Sequence, residues 1–174
     1  VASAFRATLA EELGEPVSVY EAPVDMALSP DPAAEPPLLD FLERHVVGRP
    51  PDVVVSVGAM ACRFTVQYRD RLFPATPIVF AGVDPRLVSP ESTGTNATLV
   101  TQRNELPTMV EDILHLQPGT TNIVVVFGAS PLEKFWQGEC RREFQPFADR
   151  VGFTWLDGHS LDRVVERCAS LPPM

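Results

Sequence analysis

The sequence predicts an α/β protein made of two Rossmann-like lobes with parallel sheets. Three observations carry this. Short β-branched runs alternate with helical stretches along most of the chain, the pattern of repeated βαβ units. Two of those runs, VVVSVGAM at 53–60 and VVVFGASP at 124–131, read as one element written twice: an apolar strand, a Gly-Ala turn and a helix. Between the halves, residues 85–103 (PRLVSPESTGTNATLVTQR) break the rhythm with turn formers.

The elements follow in order. Val1, Phe5, Leu9 and Leu13 share one stripe of an opening helix. A short strand is expected near Val17 to Tyr20, then a proline-rich loop, MALSPDPAAEPP. LLDFLERHVV places Leu38, Leu39, Leu42, Val46 and Val47 at helical spacing, and GRPP stops it. DVVVSVG is apolar on both faces, as parallel strands covered by helices are. The helix AMACRFTVQYRDRLF leads to a second buried strand, TPIVFAGVDP, ending at Gly82. Residues 85–103 read as the crossover, with one β-like run from Ala97 to Thr101. In NELPTMVEDILHL, Asn104 is the expected N-cap, with Leu106, Met109, Val110, Ile113 and Leu114 facing inward. The strand NIVVVFG, a helix from Ser130, the strand GFTWLDG and the helix SLDRVVERCASL complete the chain. The expected organisation is a β/α lobe at 1–84 lacking its first strand, a crossover at 85–103 and a partial second lobe at 104–174. Both ends read as cut, since the first helix has no strand before it and ASLPPM stops where another strand is expected.

Composition narrows the partners. At 174 residues, 45% hydrophobic and 21% charged, the chain is long enough for a real core and too apolar for disorder. A net charge of −9 repels phosphate backbones, so no nucleic acid is expected as a partner. No apolar run approaches the ~20 residues needed to span a bilayer. Cys62, Cys140 and Cys168 show no CxxC spacing, which removes zinc-site and thioredoxin-like readings. Cys140 and Cys168 fall on apolar helix stripes and read as small buried hydrophobes, with a disulfide between them left open.

The candidate chemistry is sparse. GASPL lacks the second glycine of a nucleophile elbow, since that position is Leu132. Ser130, Pro131 and Glu133 instead spell a capping box with proline at the first helical position. Neither glycine turn runs into Gly-Lys-Ser/Thr, and no GxGxxG is present, so no nucleotide or other cofactor is expected, and no metal. His45 and His115 sit near helix C-termini, where a cation suits the dipole. His159 follows a strand end and reads as either a loop residue or a cleft residue. Asp84 and Asp157 also follow strand ends; contact with a ligand and capping of a turn stand level for both. Trp136 shares a stripe with Leu132, Cys140, Phe144 and Phe147 and reads as core. Phe135 is rotated off that stripe and is the better candidate for a ligand-facing aromatic. No residue pattern marks this chain as an enzyme.

Three stretches together resemble a known family. They are GRPPDVVVSVGAMACRFTVQYRDRLFPATPIVFAGVDP, LQPGTTNIVVVFGASPLEKFW and FTWLDGHSLDRVVERCASLPP. Their order is similar to that in extracytoplasmic sensor regions of bacterial two-component histidine kinases, relatives of the ABC-transporter substrate-binding proteins of periplasmic-binding type I fold. The resemblance implies a two-lobed domain that closes on a small-molecule ligand in an inter-lobe cleft. It implies a periplasmic location, with membrane segments tethering the domain to a cytoplasmic kinase. It maps the family's cleft positions to Gly58, Ala59 and Met60, to Ala81, Gly82, Val83 and Asp84, and to Gly128, Ala129 and Ser130. The alternatives are an ABC-transporter substrate-binding component and a Rossmann-like α/β enzyme. Homodimerisation is left open.

Overall fold

The computed structural model describes residues 2–14, 16–24 and 35–171. Val1, most of the proline-rich loop and the last three residues lie outside the described residues. The chain divides into two compact units, Val1–Gln102 and Arg103–Met174.

Unit 1 holds helix α1 (Ala2–Leu13), helix α2 (Glu35–Val46), strand β1 (Val54–Val57), helix α3 (Ala59–Leu72), strand β2 (Ile78–Val83), the short helix α4 (Pro90–Thr93) and strand β3 (Ala97–Thr101). The sheet order is β1-β2-β3, parallel throughout. Ile78 and Phe80 of the central strand are essentially fully buried and anchor the core with Phe64, Cys62, Leu39 and Leu42. The Ala97–Thr101 run, expected inside a crossover, is the third strand of this sheet. Arg69 of α3 reaches the carbonyls of Thr93 and Asn96 and ties the segment before β3 to the helix.

One expected strand of this unit does not form. Residues 16–24 carry no regular structure, so Val17 to Tyr20 is not a strand. No strand of the sheet pairs with it, and an alternating run too short to bury a face gains nothing from a ladder it cannot join. Helix α1 forms, but Phe5 and Leu13 of its apolar stripe are exposed. Val47 also lies beyond the end of α2, in solvent.

Unit 2 holds helix α5 (Leu106–Leu116), strand β4 (Asn122–Phe127), helix α6 (Pro131–Phe144) with a 3₁₀ turn at Gln145–Phe147, strand β5 (Gly152–Asp157) and helix α7 (Leu161–Ala169). β4 and β5 pair in parallel, Asn122 opposite Gly152 and Phe127 opposite Asp157. Leu106, Val110, Cys140, Phe144, Phe147 and Val151 form the core. Phe144 stacks on Phe153 with ring centroids 5.2 Å apart, and Trp136 and Trp155 pack at the margin.

Three details differ from expectation. The N-cap of α5 is Glu105, not Asn104; Asn104 acts through its carbonyl, which accepts the Leu106 N–H at 3.0 Å. Met109 and Ile113 of the expected inner face are exposed, because the core takes only the Leu106–Val110–Leu114 edge of the helix. Cys140 is buried, but Cys168 is exposed. Helix α7 has no buried residue, so its apolar stripe does not turn Cys168 into a core position. None of the three cysteines is in a disulfide.

Candidate functional site

Parallel α/β sheets receive ligands beyond the carboxyl ends of their strands. In unit 1 that edge is built from the ends of β1 and β2. Val57 stands opposite Ala81, and the Gly58 N–H donates to the Ala81 carbonyl at 2.9 Å. This bond places Gly58, Ala59 and Met60 beside Ala81, Gly82 and Val83. Gly58 has φ 85° and ψ 160°, a backbone region that side chains bearing a Cβ rarely enter. A Cβ there would meet nothing within 4 Å, so conformation and not space demands the glycine. Gly82, at φ 62°, sits in a bulge where the register slips between Ala81 and Val83. The pairing resumes past it, since the Gln102 N–H donates to the Val83 carbonyl at 3.0 Å.

The bulge sends neighbouring side chains different ways. Gly82 is exposed, while the Val83 side chain belongs to the core. Asp84 is buried, and its Oδ1 accepts the Arg86 N–H at 3.0 Å and Arg86 Nε at 2.9 Å. Its Oδ2 accepts Arg86 Nη2 at 2.9 Å. The turn-capping reading of Asp84 is therefore the one displayed, strengthened by a bidentate ion pair.

In unit 2 the same edge is formed by the ends of β4 and β5. Ser130 is the N-cap of α6, and its Oγ accepts the Glu133 N–H at 3.2 Å. The Glu133 carboxylate returns across the turn. Oε1 accepts the Gly128 N–H and Oε2 the Ser130 N–H, both at 3.0 Å. A Cβ added at Gly128 would overlap that carboxylate. The Ser130 hydroxyl first, then the Ser130 and Gly128 N–H groups, hold Glu133 below the ordinary carboxylate value. Asp157, opposite Phe127, accepts Arg141 Nη2 at 2.9 Å, and Arg141 lies 4.3 Å over the Trp155 ring. His159 is exposed beyond Gly158. Phe135 stands one turn into α6 and meets Trp136 edge-on at 5.3 Å. Trp136 packs on the core, as its stripe predicts.

The expected residues thus gather at two strand-end edges, one in each unit. Cys62 is buried: burial pushes its thiol up, and its S–H donates to the Ser56 carbonyl. Among the described residues no His, Cys, Asp and Glu cluster could hold a metal, and no helix is long and apolar enough to cross a membrane. Sequence reasoning missed Arg86, Arg141 and the reach of Glu133 to Gly128. The Asp-Pro-Arg spacing at 84–86 was a readable signal for the first; nothing local marks the Arg141–Asp157 pair, sixteen residues apart.

No family model matches the chain, and no curated protein matches it. Among solved structures the chain is similar to one described as the ABC domain in complex with L-Trp from Streptococcus pneumonia. The TM-score is 0.53 at 19% identity, over 76% of this chain and 46% of that one. The chain therefore spans less than half of that protein's length. At this identity the likeness shows the fold alone, an α/β architecture with parallel sheets.

Proposed function

We propose that this chain is the small-molecule-sensing domain of a membrane-bound two-component sensor histidine kinase, facing the extracytoplasmic side. The single observation that carries ligand binding is the convergence of glycine turns at the carboxyl edge of each sheet. Gly58 and Gly82 in unit 1 keep backbone, not side chains, at the place where such folds meet ligands, and Gly128 in unit 2 leaves room there for the Glu133 carboxylate alone. The fold shared with a protein held in complex with L-Trp supports an amino acid or a flat aromatic compound as the ligand class. The ordered sequence motifs support the kinase context. In this reading, a ligand held at a strand-end edge favours one conformation by differential affinity, and that bias is the signal.

A transport substrate-binding component is the second reading, favoured by the description of the solved neighbour as an ABC domain. The full-length sequence separates the two: a kinase domain after this region supports sensing, and a stand-alone binding protein supports transport. For binding itself, the complete extracytoplasmic region is titrated calorimetrically with L-tryptophan, other amino acids, aromatic acids and sugars. Saturable heat with any of them is the expected result; silence across the panel sinks the small-molecule reading.

A further inference from the structure

The two glycine turns differ in what already occupies them. In unit 1 no side chain caps α3, and the space at Gly58 is open. In unit 2 the two backbone N–H groups of the turn, Gly128 and Ser130, are both engaged by one carboxylate of the chain itself. The fit is specific on both sides. Gly128 has no positive φ, so its backbone is open to any residue; what a side chain there would strike is the Glu133 carboxylate. Glycine at 128 is thus the counterpart of glutamate at 133.

Resting on the small-molecule reading above, we propose that Glu133 is a specificity-determining residue, an internal occupant that bars carboxylate and phosphate groups from the Gly128–Ser130 turn and presents a negative edge to the amine or hydroxyl of a ligand. Two like charges cannot share the turn, and the resident one is held at 3.0 Å by two donors without any cost of association. Specificity comes from the repulsive element as much as from any attractive one. Leu132 and Phe135, one residue before Glu133 and two after it in α6, are half-buried apolar side chains near that edge in sequence.

Amide NMR on this chain tests the occupancy with inorganic phosphate as probe. The Gly128 and Ser130 resonances of the wild type are expected to hold still through the titration. In Glu133→Ala they are expected to shift and saturate, since Ser130 Oγ still caps the residue-133 N–H and keeps the helix start. Gly128→Ala serves as the second variant. It expels the carboxylate and fills the vacated volume, so its Ser130 amide is expected to move relative to wild type but not to respond to phosphate. A wild-type turn that binds phosphate, or a Glu133→Ala turn that does not, overturns the proposal. Calorimetry with L-tryptophan, tryptamine and indole-3-propionate then separates the two ideas. The expected outcome is that the wild type discriminates against the acid lacking an amine and that Glu133→Ala loses most of that discrimination. Equal discrimination in both proteins overturns the role of Glu133. Silence with all three indoles counts against the aromatic ligand class, while the phosphate result still decides the occupancy.

Discussion

The carboxyl edges of the two sheets carry the same parts, a strand-end glycine turn and an aspartate paired to an arginine, yet they are held in different ways. In unit 1 the ion pair is inside: the Asp84 side chain is 1% exposed and Arg86 16%. In unit 2 it is outside: Asp157 is 32% exposed and Arg141 47%. Conversely, the unit 1 turn is kept open by a backbone conformation, and the unit 2 turn is closed by a side chain. Position in the fold thus fixes which residue types appear, and burial decides what each contributes.

The largest expected effect tests that contrast directly. Asp84→Ala leaves the Arg86 guanidinium mostly desolvated without its carboxylate, at a cost of about 3 kcal/mol. Asp157→Ala removes a solvent-screened pair and is expected to cost less than about 1 kcal/mol. Urea unfolding of the two variants measures both; similar losses would erase the distinction.

Next come the glycines. Gly58→Ala forces a Cβ into a region near φ 85°, ψ 160°, and is expected to cost about 1–3 kcal/mol. Gly128→Ala carries no such strain and is expected to lose only what the two hydrogen bonds to Glu133 contribute, about 1–2 kcal/mol. Because both changes break the same interaction, Gly128→Ala and Glu133→Ala are expected to be strongly non-additive in a double-mutant cycle. Simple additivity would show that the carboxylate does not sit over Gly128.

Smaller effects follow from the cap of α6. Ser130→Ala is expected to cost about 1 kcal/mol, read as a lower melting temperature. The pH dependence has a definite sign. Glu133 has its folded pKa lowered below the ordinary 4.5, first by the Ser130 hydroxyl. Its contribution is therefore complete above that ordinary value and is lost as pH falls through the depressed folded value. Wild type should lose stability between those two points, and Glu133→Ala should lose less over the same interval in parallel melts.

Much of this was legible in the sequence. The βαβ rhythm, the parallel sheets and the capping box at Ser130 follow from period, turn chemistry and the Ser-Pro-x-Glu spacing. The Val17–Tyr20 run misled because alternation records a preference for a pleated surface, and only a neighbouring strand turns that preference into structure. Cys168 misled because a stripe says which side of a helix is apolar, not whether anything covers it. The Glu133–Gly128 bond was half legible. Its cap was readable, but the second oxygen's target lies outside any local rule.

The parallel pairing of every strand among the described residues also bears on how the chain reaches this state. No strand meets its partner through a tight hairpin. Val54 and Ile78 are 24 residues apart, Ile78 and Ala97 are 19, and Asn122 and Gly152 are 30. Each closure waits on the helix between, and the longest costs about 0.4 kcal/mol more entropy than the shortest by the (3/2)RT ln n rule. Unit 2 assembles its only strand pair among the described residues across the widest gap. Pulse-labelled amide exchange during refolding is expected to protect β1, β2 and β3 before β4 and β5, so that the edge carrying Gly58 is in place while the edge carrying Gly128 is still forming.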